Sequence, residues 1–265
     1  MVVIVAMRGE VESHHPYSRS SRSLTRLTLI GLSSHELISV PPNQFPSLER
    51  LVLEVVEFDV GPEPPCISAF EGCPHLRRVA LKRKAYMNFL TEDNQVEVAL
   101  PWHQITHYIS DSFVAKPRFF TEHLAKARAL RYLHFTVDHT TNDERTTLAN
   151  IGSSIVLEQL EFLSLVFENL YDEEEGIVGG IFYPAFFDKF EFPNLKGIRL
   201  QFTFLQLFPE ANLAFFGKLS QLRNVQYLSV GYDDDDGLEL WEELSIPLPN
   251  VTTLDLLFEL GHDEL

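Results

Sequence analysis

The chain has 265 residues, of which 45% are hydrophobic and 22% are charged, and its formal charge at pH 7 is −17. A chain of this size and composition can bury a core without disulfides or metals, which excludes wholesale disorder and a disulfide-stapled miniprotein. The acidic balance argues against a general affinity for nucleic acid or anionic membranes, because both require a basic surface. The acidity is uneven: residues 1–133 contain 15 Lys and Arg against 14 Asp and Glu, whereas residues 134–265 contain 6 against 24.

The two ends of the chain bear on where it resides. Residues 1–23 are rich in Ser and Arg, and we predict a flexible N-terminal segment there. Residues 2–7 are apolar but follow no Lys or Arg, unlike a secretory signal, and no run of 18 apolar residues occurs. The last four residues, His-Asp-Glu-Leu, spell an endoplasmic-reticulum retrieval address, which we interpret as a coincidence in a chain without a signal. The sequence therefore predicts a cytoplasmic or nuclear protein.

An apolar triple of the form L-x-x-L-x-L recurs along residues 24–256. Eight copies have all three positions apolar, and a weaker ninth, Ile105/Tyr108/Ser110, fills the one gap. Successive copies start 24 to 35 residues apart, about 28 on average, near the upper end of the range for leucine-rich repeats. The first residues of the nine triples are Leu24, Leu48, Leu76, Ile105, Leu130, Leu160, Leu195, Val225 and Val251.

Each triple predicts one short strand, because alternation places its second and third apolar residues on the same face. Stretches of helical character lie between the strands, at residues 35–40, 67–72, 121–129, 144–151, 184–190, 213–222 and 238–244. The sequence therefore predicts an α/β leucine-rich-repeat solenoid over residues 24–265, a curved horseshoe with parallel strands on one face and helices on the other.

Two phrases resemble the repeat region of fungal F-box proteins. Residues 73–81, CPHLRRVAL, are similar to the "CPnLrrL" phrase of that family, and residues 100–107, LPWHQITH, are similar to its "LPWsqLTh" phrase. Members act as substrate receptors of cullin-type ubiquitin ligases, so the resemblance implies a repeat surface that holds a target protein. Residues 1–23 are too short and polar for an F-box, so an adaptor contact is expected only if an F-box lies upstream. The alternative is a free-standing scaffold or inhibitor, or a truncated relic, without a ligase link.

Catalytic and metal motifs give little support to an enzyme. His103 and His107 have zincin spacing, but Gln104 stands where the catalytic glutamate is required, and Pro101 favours a turn that leads into a strand. The sequence has no nucleophile elbow, phosphate-binding glycine loop or dinucleotide fingerprint. Cys66 and Cys73 are predicted to pack as small apolar residues. We therefore predict no enzyme activity, no cofactor and no metal.

In each triple, the residue two places after the first apolar position points away from the core. We call these residues together the outward row. Parallel strands should align these residues side by side on the inner face of the solenoid. Arginine and aromatic residues are typical of binding hot spots, so the row predicts a protein target on this face, with no nucleic-acid or membrane partner. The outward row consists of Arg26, Arg50, Arg78, His107, Tyr132, Phe162, Gly197, Tyr227 and Thr253, of which Arg26, Arg50, Arg78, His107, Tyr132, Phe162 and Tyr227 are the predicted contacts.

Overall fold

The structure is a computed structural model that describes ten parts of the chain. They are residues 2–5, 21–33, 37–57, 66–83, 97–111, 122–137, 154–167, 187–202, 222–232 and 250–258. The chain divides into two compact units, Met1–Phe113 and Val114–Leu265, hereafter unit 1 and unit 2. Each unit is built from the predicted repeats.

Unit 1 contains a parallel sheet in which every strand pairs with the strand of the next repeat. Pairing runs in the order β1, β2, β3, β5 and β7. The bounds are β1 Val2–Val5, β2 Arg26–Ser33, β3 Arg50–Glu57, β5 Arg78–Arg83 and β7 His107–Ser110. Residues 1–23, predicted to be flexible, thus contribute one strand to the sheet. Gly31, with φ of 78°, lies where the register between β2 and β3 shifts, a backbone conformation that glycine adopts without steric cost.

Unit 2 repeats the arrangement with five parallel strands. They pair in the order β8, β10, β12, β13 and β14, and each of the four pairs shares an unbroken register over six residues. The bounds are β8 Tyr132–Val137, β10 Phe162–Phe167, β12 Gly197–Phe202, β13 Tyr227–Tyr232 and β14 Thr253–Phe258.

The apolar triples form the core in both units, except the last one, in which Leu254 is 49% exposed. Leu27, Leu51 and Val79 are in register on adjacent strands of unit 1, and each is at most 2% exposed. Leu133, Leu163, Ile198 and Leu228 do the same in unit 2. Each parallel pair requires a crossover, and the crossovers recur once per repeat. This architecture is the leucine-rich-repeat solenoid fold that the sequence predicts.

The weak ninth triple is confirmed as a true repeat. Ile105, Tyr108 and Ser110 are all buried, and Tyr108 lies in register with Val79 of the preceding repeat. The ring of Tyr108 contacts that of Trp102 with centroids 4.8 Å apart, and burial raises the pKa of its hydroxyl. An aromatic residue therefore replaces leucine here without disturbing the strand register.

Among the described residues, the segments between the strands contain less α-helix than predicted, although residues 37–38 and 187–189 are helical, within the predicted stretches 35–40 and 184–190. Residues 67–72, expected to be helical, form part of the strand β4 Cys66–Ile67 and then turns. β4 pairs with β6 Glu97–Val98 in unit 1, and β9 Ile155–Val156 pairs with β11 Phe190–Glu191 in unit 2. Short 3-10 helices occupy Ser21–Ser23, Trp102–Gln104 and Leu124–Lys126. Such short 3-10 turns are frequent as connectors. The stretches 144–151, 213–222 and 238–244 lie outside the described residues.

The two cysteines differ in environment, which corrects the prediction that both pack inside. Cys73 is buried, and burial raises the pKa of its thiol to about 11, whereas Cys66 is exposed at the start of β4. A two-residue strand has alternate faces, and Ile67, not Cys66, takes the inward one. Among the described residues, no helix is long and apolar enough to cross a membrane.

Candidate functional site

A repeated backbone contact sets the position of the outward row. In seven of the nine repeats, the N–H groups of the outward residue and of the residue before it both donate to one carbonyl oxygen of the preceding repeat. In unit 1, Glu49 and Arg50 share the carbonyl of Thr25, at 2.9 and 3.0 Å. In unit 2, Lys196 and Gly197 share the carbonyl of Glu161, at 2.8 and 3.1 Å. Every strand therefore begins at the same height as its neighbour, and the outward residues line up.

In four of the repeats, the polar side chain one residue before the triple also donates to a backbone carbonyl of the preceding repeat. Asn194 donates to the carbonyl of Glu158 and Asn250 to that of Arg223, both at 2.7 Å, and Asn224 donates to Pro193. In unit 1, the hydroxyl of Ser47 donates to the carbonyl of Arg22 at 2.6 Å. We call these four residues the amide ladder, with Ser47 as its hydroxyl member.

The signal for the amide ladder was present in the sequence. Two of its asparagines occur in the phrase Pro-Asn followed by an apolar residue, at Pro193-Asn194 and Pro249-Asn250. Proline marks the start of a strand, because it has no N–H to donate to the neighbouring strand. A residue that must donate to the previous repeat explains why a short amide follows that proline, since asparagine carries two N–H donors on a short stem.

The register brings the three arginines of unit 1 together. Arg26 lies opposite Arg50, and Arg50 lies opposite Arg78, so the three guanidinium groups rise from adjacent parallel strands. Adjacent strands lie about 4.8 Å apart. Arg26 and Arg78 are exposed and Arg50 is half-buried. Within the described residues, none of the three forms an ion pair with a carboxylate.

These arginines line a concave pocket with a volume of about 500 Å³, which we call the arginine pocket. Its lining carries four guanidinium groups, one imidazole and a single carboxylate. Taking the histidine as neutral, the four arginines and one glutamate give the lining a formal charge of +3, in a chain whose total is −17. The lining residues are Arg26, Glu49, Arg50, His75, Arg77, Arg78 and Thr106.

Like charges directly opposite each other on neighbouring strands oppose folding, by about 0.5 kcal/mol per pair. The two opposed pairs, Arg26 with Arg50 and Arg50 with Arg78, therefore cost stability in the unliganded chain. An anion that bridges the guanidinium groups would remove this repulsion. The arrangement is chemically suited to hold carboxylate or phosphate oxygens, which arginine grips through two parallel N–H bonds.

His107 continues the row after Arg78 but belongs to a different environment. Its Nδ1 lies 2.9 Å from the hydroxyl of Thr106, and the residue is half-buried. His103 lies in the 3-10 turn Trp102–Gln104, whereas His107 begins strand β7. The two histidines are thus not on successive turns of one helix, as a zincin site requires. No group of three His, Cys, Asp or Glu side chains arranged to hold a metal occurs among the described residues.

The row in unit 2 is aromatic. Tyr132, Phe162, Gly197 and Tyr227 are in register on β8, β10, β12 and β13. Phe162 is 42% exposed, and its ring covers Gly197 so closely that a Cβ atom there would lie 2.5 Å from ring carbons. Glycine therefore lets the Phe162 ring lie across β12 and approach Tyr227, whose ring carbon lies 3.4 Å from the same point. We call Tyr132, Phe162 and Tyr227 the aromatic column.

Charged side chains beside the aromatic column form ion pairs, in contrast to the arginines of the outward row in unit 1. Glu161 accepts hydrogen bonds from Arg131 and Lys196, which flank it on the neighbouring repeats. The bond from Arg131, followed by that from Lys196, lowers the pKa of the Glu161 carboxyl below its ordinary value. The hydroxyl of Tyr227 donates to Asp255 at 2.9 Å. Unit 2 thus presents apolar rings between paired charges.

All seven predicted contact residues lie at aligned positions, four in unit 1 and three in unit 2. The alignment of the row within each unit is confirmed, while its role in binding stays a prediction. Sequence reasoning missed the part that Glu49, His75, Arg77 and Thr106 take in the pocket. Glu49, Arg77 and Thr106 each lie one residue before a residue of the row, and His75 lies three residues before Arg78. Strand alternation does not show which way a residue ahead of the strand faces.

Comparison with known proteins adds little to this description. No family model and no curated protein sequence matches the chain. Among solved structures, it is similar to human 5T4, also titled Wnt-activated inhibitory factor 1 or trophoblast glycoprotein. The identity is 16%, the match covers 84% of this chain and 77% of that one, and the TM-score is 0.37. A likeness this low carries no argument, so the assignment of the fold rests on the repeated strands and their register.

Proposed function

We propose that the chain is a non-enzymatic protein-binding module whose arginine pocket holds an acidic segment of a target protein. The observation that carries the proposal is the alignment of Arg26, Arg50 and Arg78 on adjacent strands without a carboxylate partner among the described residues. Such an array costs stability unless an anion covers it, and acidic side chains are the common anions of protein surfaces.

The aromatic column supplies the second contact surface of the same proposal. Phe162 exposes 42% of its surface on a rigid strand, and Tyr132 and Tyr227 are half-buried beside it. Rings held this way offer contact area at a small cost in side-chain entropy, which is why aromatic residues dominate binding hot spots. Apolar side chains of a target are the expected contacts there.

A finer proposal concerns the ligase. The phrase CPHLRRVAL, through which the chain resembles the repeats of F-box receptors, contains Arg77 and Arg78 of the arginine pocket. This overlap supports a role as the target-holding part of a cullin-type ubiquitin ligase. If an F-box lies upstream, a cullin and its adaptor are expected to co-purify with the native protein. A native complex that contains a target but no cullin would instead favour the free-standing scaffold.

The test of the binding surface uses a photo-crosslinking amino acid at Val52, which lies on the same face of β3 as Arg50. A target seated in the arginine pocket should crosslink there and fail to crosslink when Arg50 and Arg78 are both changed to Glu. The matched control reverses Arg128 and Arg223, exposed arginines of unit 2, with the same change in total charge. Equal crosslinking in the Arg50→Glu/Arg78→Glu chain, with folding intact, would overturn the proposed surface.

A further inference from the structure

We infer that the outward face of unit 2 binds the free carboxyl terminus of a protein chain whose last side chain is apolar. This inference rests on the proposed function, because it names the part of a target that the aromatic column holds. The first observation is Arg199, the single Lys or Arg within the five described strands of unit 2. Arg199 is exposed, and among the described residues it forms no ion pair. By contrast, Arg131 and Lys196 both pair with Glu161.

Arg199 lies beside the exposed ring of the aromatic column. It follows Gly197 by two residues on β12 and therefore stands on the same face, about 7 Å farther along the strand. The ring of Phe162 covers Gly197, and Phe162 is 42% exposed. A cation and an exposed apolar ring are thus neighbours. A ligand that contacts both must carry a carboxylate close to an apolar group.

Two serines flank Arg199 in the register, Ser164 on β10 and Ser229 on β13. They are only 4% and 1% exposed. The hydroxyl of Ser164 lies 2.8 Å from Nδ1 of His134, but that of Ser229 has no hydrogen-bond partner among the described residues. Burial of a hydroxyl without a partner is unfavourable. A carboxylate that draws the flexible Arg199 side chain aside would expose the Ser229 hydroxyl and offer it an acceptor.

The carboxylate of Asp255 does not fill this site. Asp255 lies two strands away from Arg199, about 10 Å across the sheet, and accepts a hydrogen bond from the hydroxyl of Tyr227. The single charge of Arg199 suits one carboxylate and not a polyanion. Residues 134–265, with 6 Lys and Arg against 24 Asp and Glu, would repel an acidic segment or a nucleic acid.

Two features favour a chain terminus over other carboxylates. A C-terminal residue holds its carboxylate and its side chain on one Cα atom, whereas Asp and Glu carry the carboxylate at the tip of the side chain and bring no apolar group with it. The aromatic column spans three strand spacings, from Tyr132 on β8 to Tyr227 on β13, or about 14 Å. That length matches about four residues of extended chain and exceeds what a small free acid can cover.

The experiment measures the binding of short labelled peptides to the full chain by fluorescence anisotropy. The first peptide consists of Gly and Ser and ends in leucine with a free carboxyl group. The second is the same peptide with a C-terminal amide, and the third is amidated and carries leucine next to an internal glutamate. We expect the first to bind about tenfold more tightly than the others, since only its carboxylate reaches Arg199 while its leucine contacts the Phe162 ring.

Three variants locate the contact. Arg199→Gln should weaken the binding of the free-carboxyl peptide about tenfold and leave that of the amidated peptide unchanged, because it removes the guanidinium group but not the rings. Ser229→Ala, which removes the hydroxyl, should weaken the free-carboxyl peptide about threefold. The control is Arg223→Gln, the same change in charge at an exposed arginine outside the strands, which should alter neither affinity.

The outcomes separate this inference from the proposed function. Equal binding of the free-carboxyl and amidated peptides, or no effect of Arg199→Gln, would show that the terminal carboxylate is not recognised. If no peptide binds while the crosslink at Val52 still depends on Arg50 and Arg78, the inference is wrong and the proposed function stands. Free octanoate that binds as tightly as the peptide, with the same dependence on Arg199, would assign the site to a small carboxylic acid and overturn the chain terminus.

Discussion

The two units have the same backbone repeat but different outward residues. In unit 1, three arginines face one another across β2, β3 and β5 without a carboxylate partner among the described residues. In unit 2, the same positions carry the aromatic column, and the neighbouring cations Arg131 and Lys196 both pair with Glu161. The backbone contacts are identical in kind, so the repeat fixes where side chains stand and leaves their chemistry free.

The largest effect on stability that separates the two units is expected at Gly197. Gly197→Ala places a Cβ atom against the Phe162 ring, and we expect the free energy of unfolding to fall by about 1 kcal/mol, because overpacking outweighs the entropic gain of replacing glycine in a strand. Chemical denaturation measures the change.

A second variant tests the cause of that loss. In a Phe162→Ala background the clash is removed, so Gly197→Ala should become stabilising by about 0.5 kcal/mol. The same loss in both backgrounds would contradict the close approach of ring and backbone.

The amide ladder should matter equally in both units. Asn224→Ala removes the hydrogen bond to Pro193 in unit 2, and Ser47→Ala removes the bond to Arg22 in unit 1. Each should lower the free energy of unfolding by about 0.5–1 kcal/mol, the net value of an accessible hydrogen bond. Asn224→Asp should cost more than Asn224→Ala, since a carboxylate would face the carbonyl oxygen. A large effect in one unit and none in the other would show that the ladder is not a common device.

A smaller effect of opposite sign is expected in unit 1. Arg50→Thr removes two like-charge oppositions, about 1 kcal/mol together, but also loses the packing of the half-buried Arg50 stem, so the free energy of unfolding should rise by about 0.5 kcal/mol. The gain should shrink at about 1 M salt, where charges are screened within about 3 Å. Phe162→Thr, the corresponding change in unit 2, should destabilise. A loss of stability in Arg50→Thr would mean that the arginines support the fold.

The smallest expected effect is the pH dependence of the unfolding free energy that Glu161 of unit 2 causes. Hydrogen bonds from Arg131 and Lys196 lower the pKa of Glu161, so the ionised form is favoured in the folded chain. Its contribution to stability is therefore present above the ordinary pKa of glutamate and is lost as the pH falls through the lowered value. The difference in unfolding free energy between the wild type and Glu161→Gln should be largest near neutral pH and vanish in acid. Glu158→Gln, at an exposed glutamate of the same repeat, serves as the control. A difference that grows in acid would contradict the lowered pKa.

The sequence predicted the strands well because every triple but the last buries two residues on one face. That constraint locates β7 even where Ser110 replaces an apolar residue, since Ile105 and Tyr108 still set the register. The segments between the strands of the sheet were harder to predict. Residues 67–72 contain apolar residues at helical spacing, but the pairing of Ile67 with Val98 takes them into a short strand and turns. That pairing joins residues 31 positions apart, which local pattern does not reveal.

The candidate site was predicted in part for the same reason. The outward row follows from strand alternation, so Arg26, Arg50 and Arg78 could be identified from their positions alone. The pocket also needs Glu49 and Arg77, which precede the strand residues and depend on how the chain turns into each strand. Both positions recur with the repeat, but strand alternation does not show which way they face. Pairing of charges was equally hidden, because Arg131 and Glu161 are 30 residues apart in the sequence.

The shared carbonyl at each strand start has a consequence for how such a chain tolerates insertions and deletions. Successive triples start 24 to 35 residues apart, yet the outward residues of both units stay in register. The contacts that hold the register lie within a few residues of the strand start. The intervening loops can therefore change length without moving the outward row. Loop length and binding chemistry can thus diverge independently, and grafted loops should leave the arginine pocket in place.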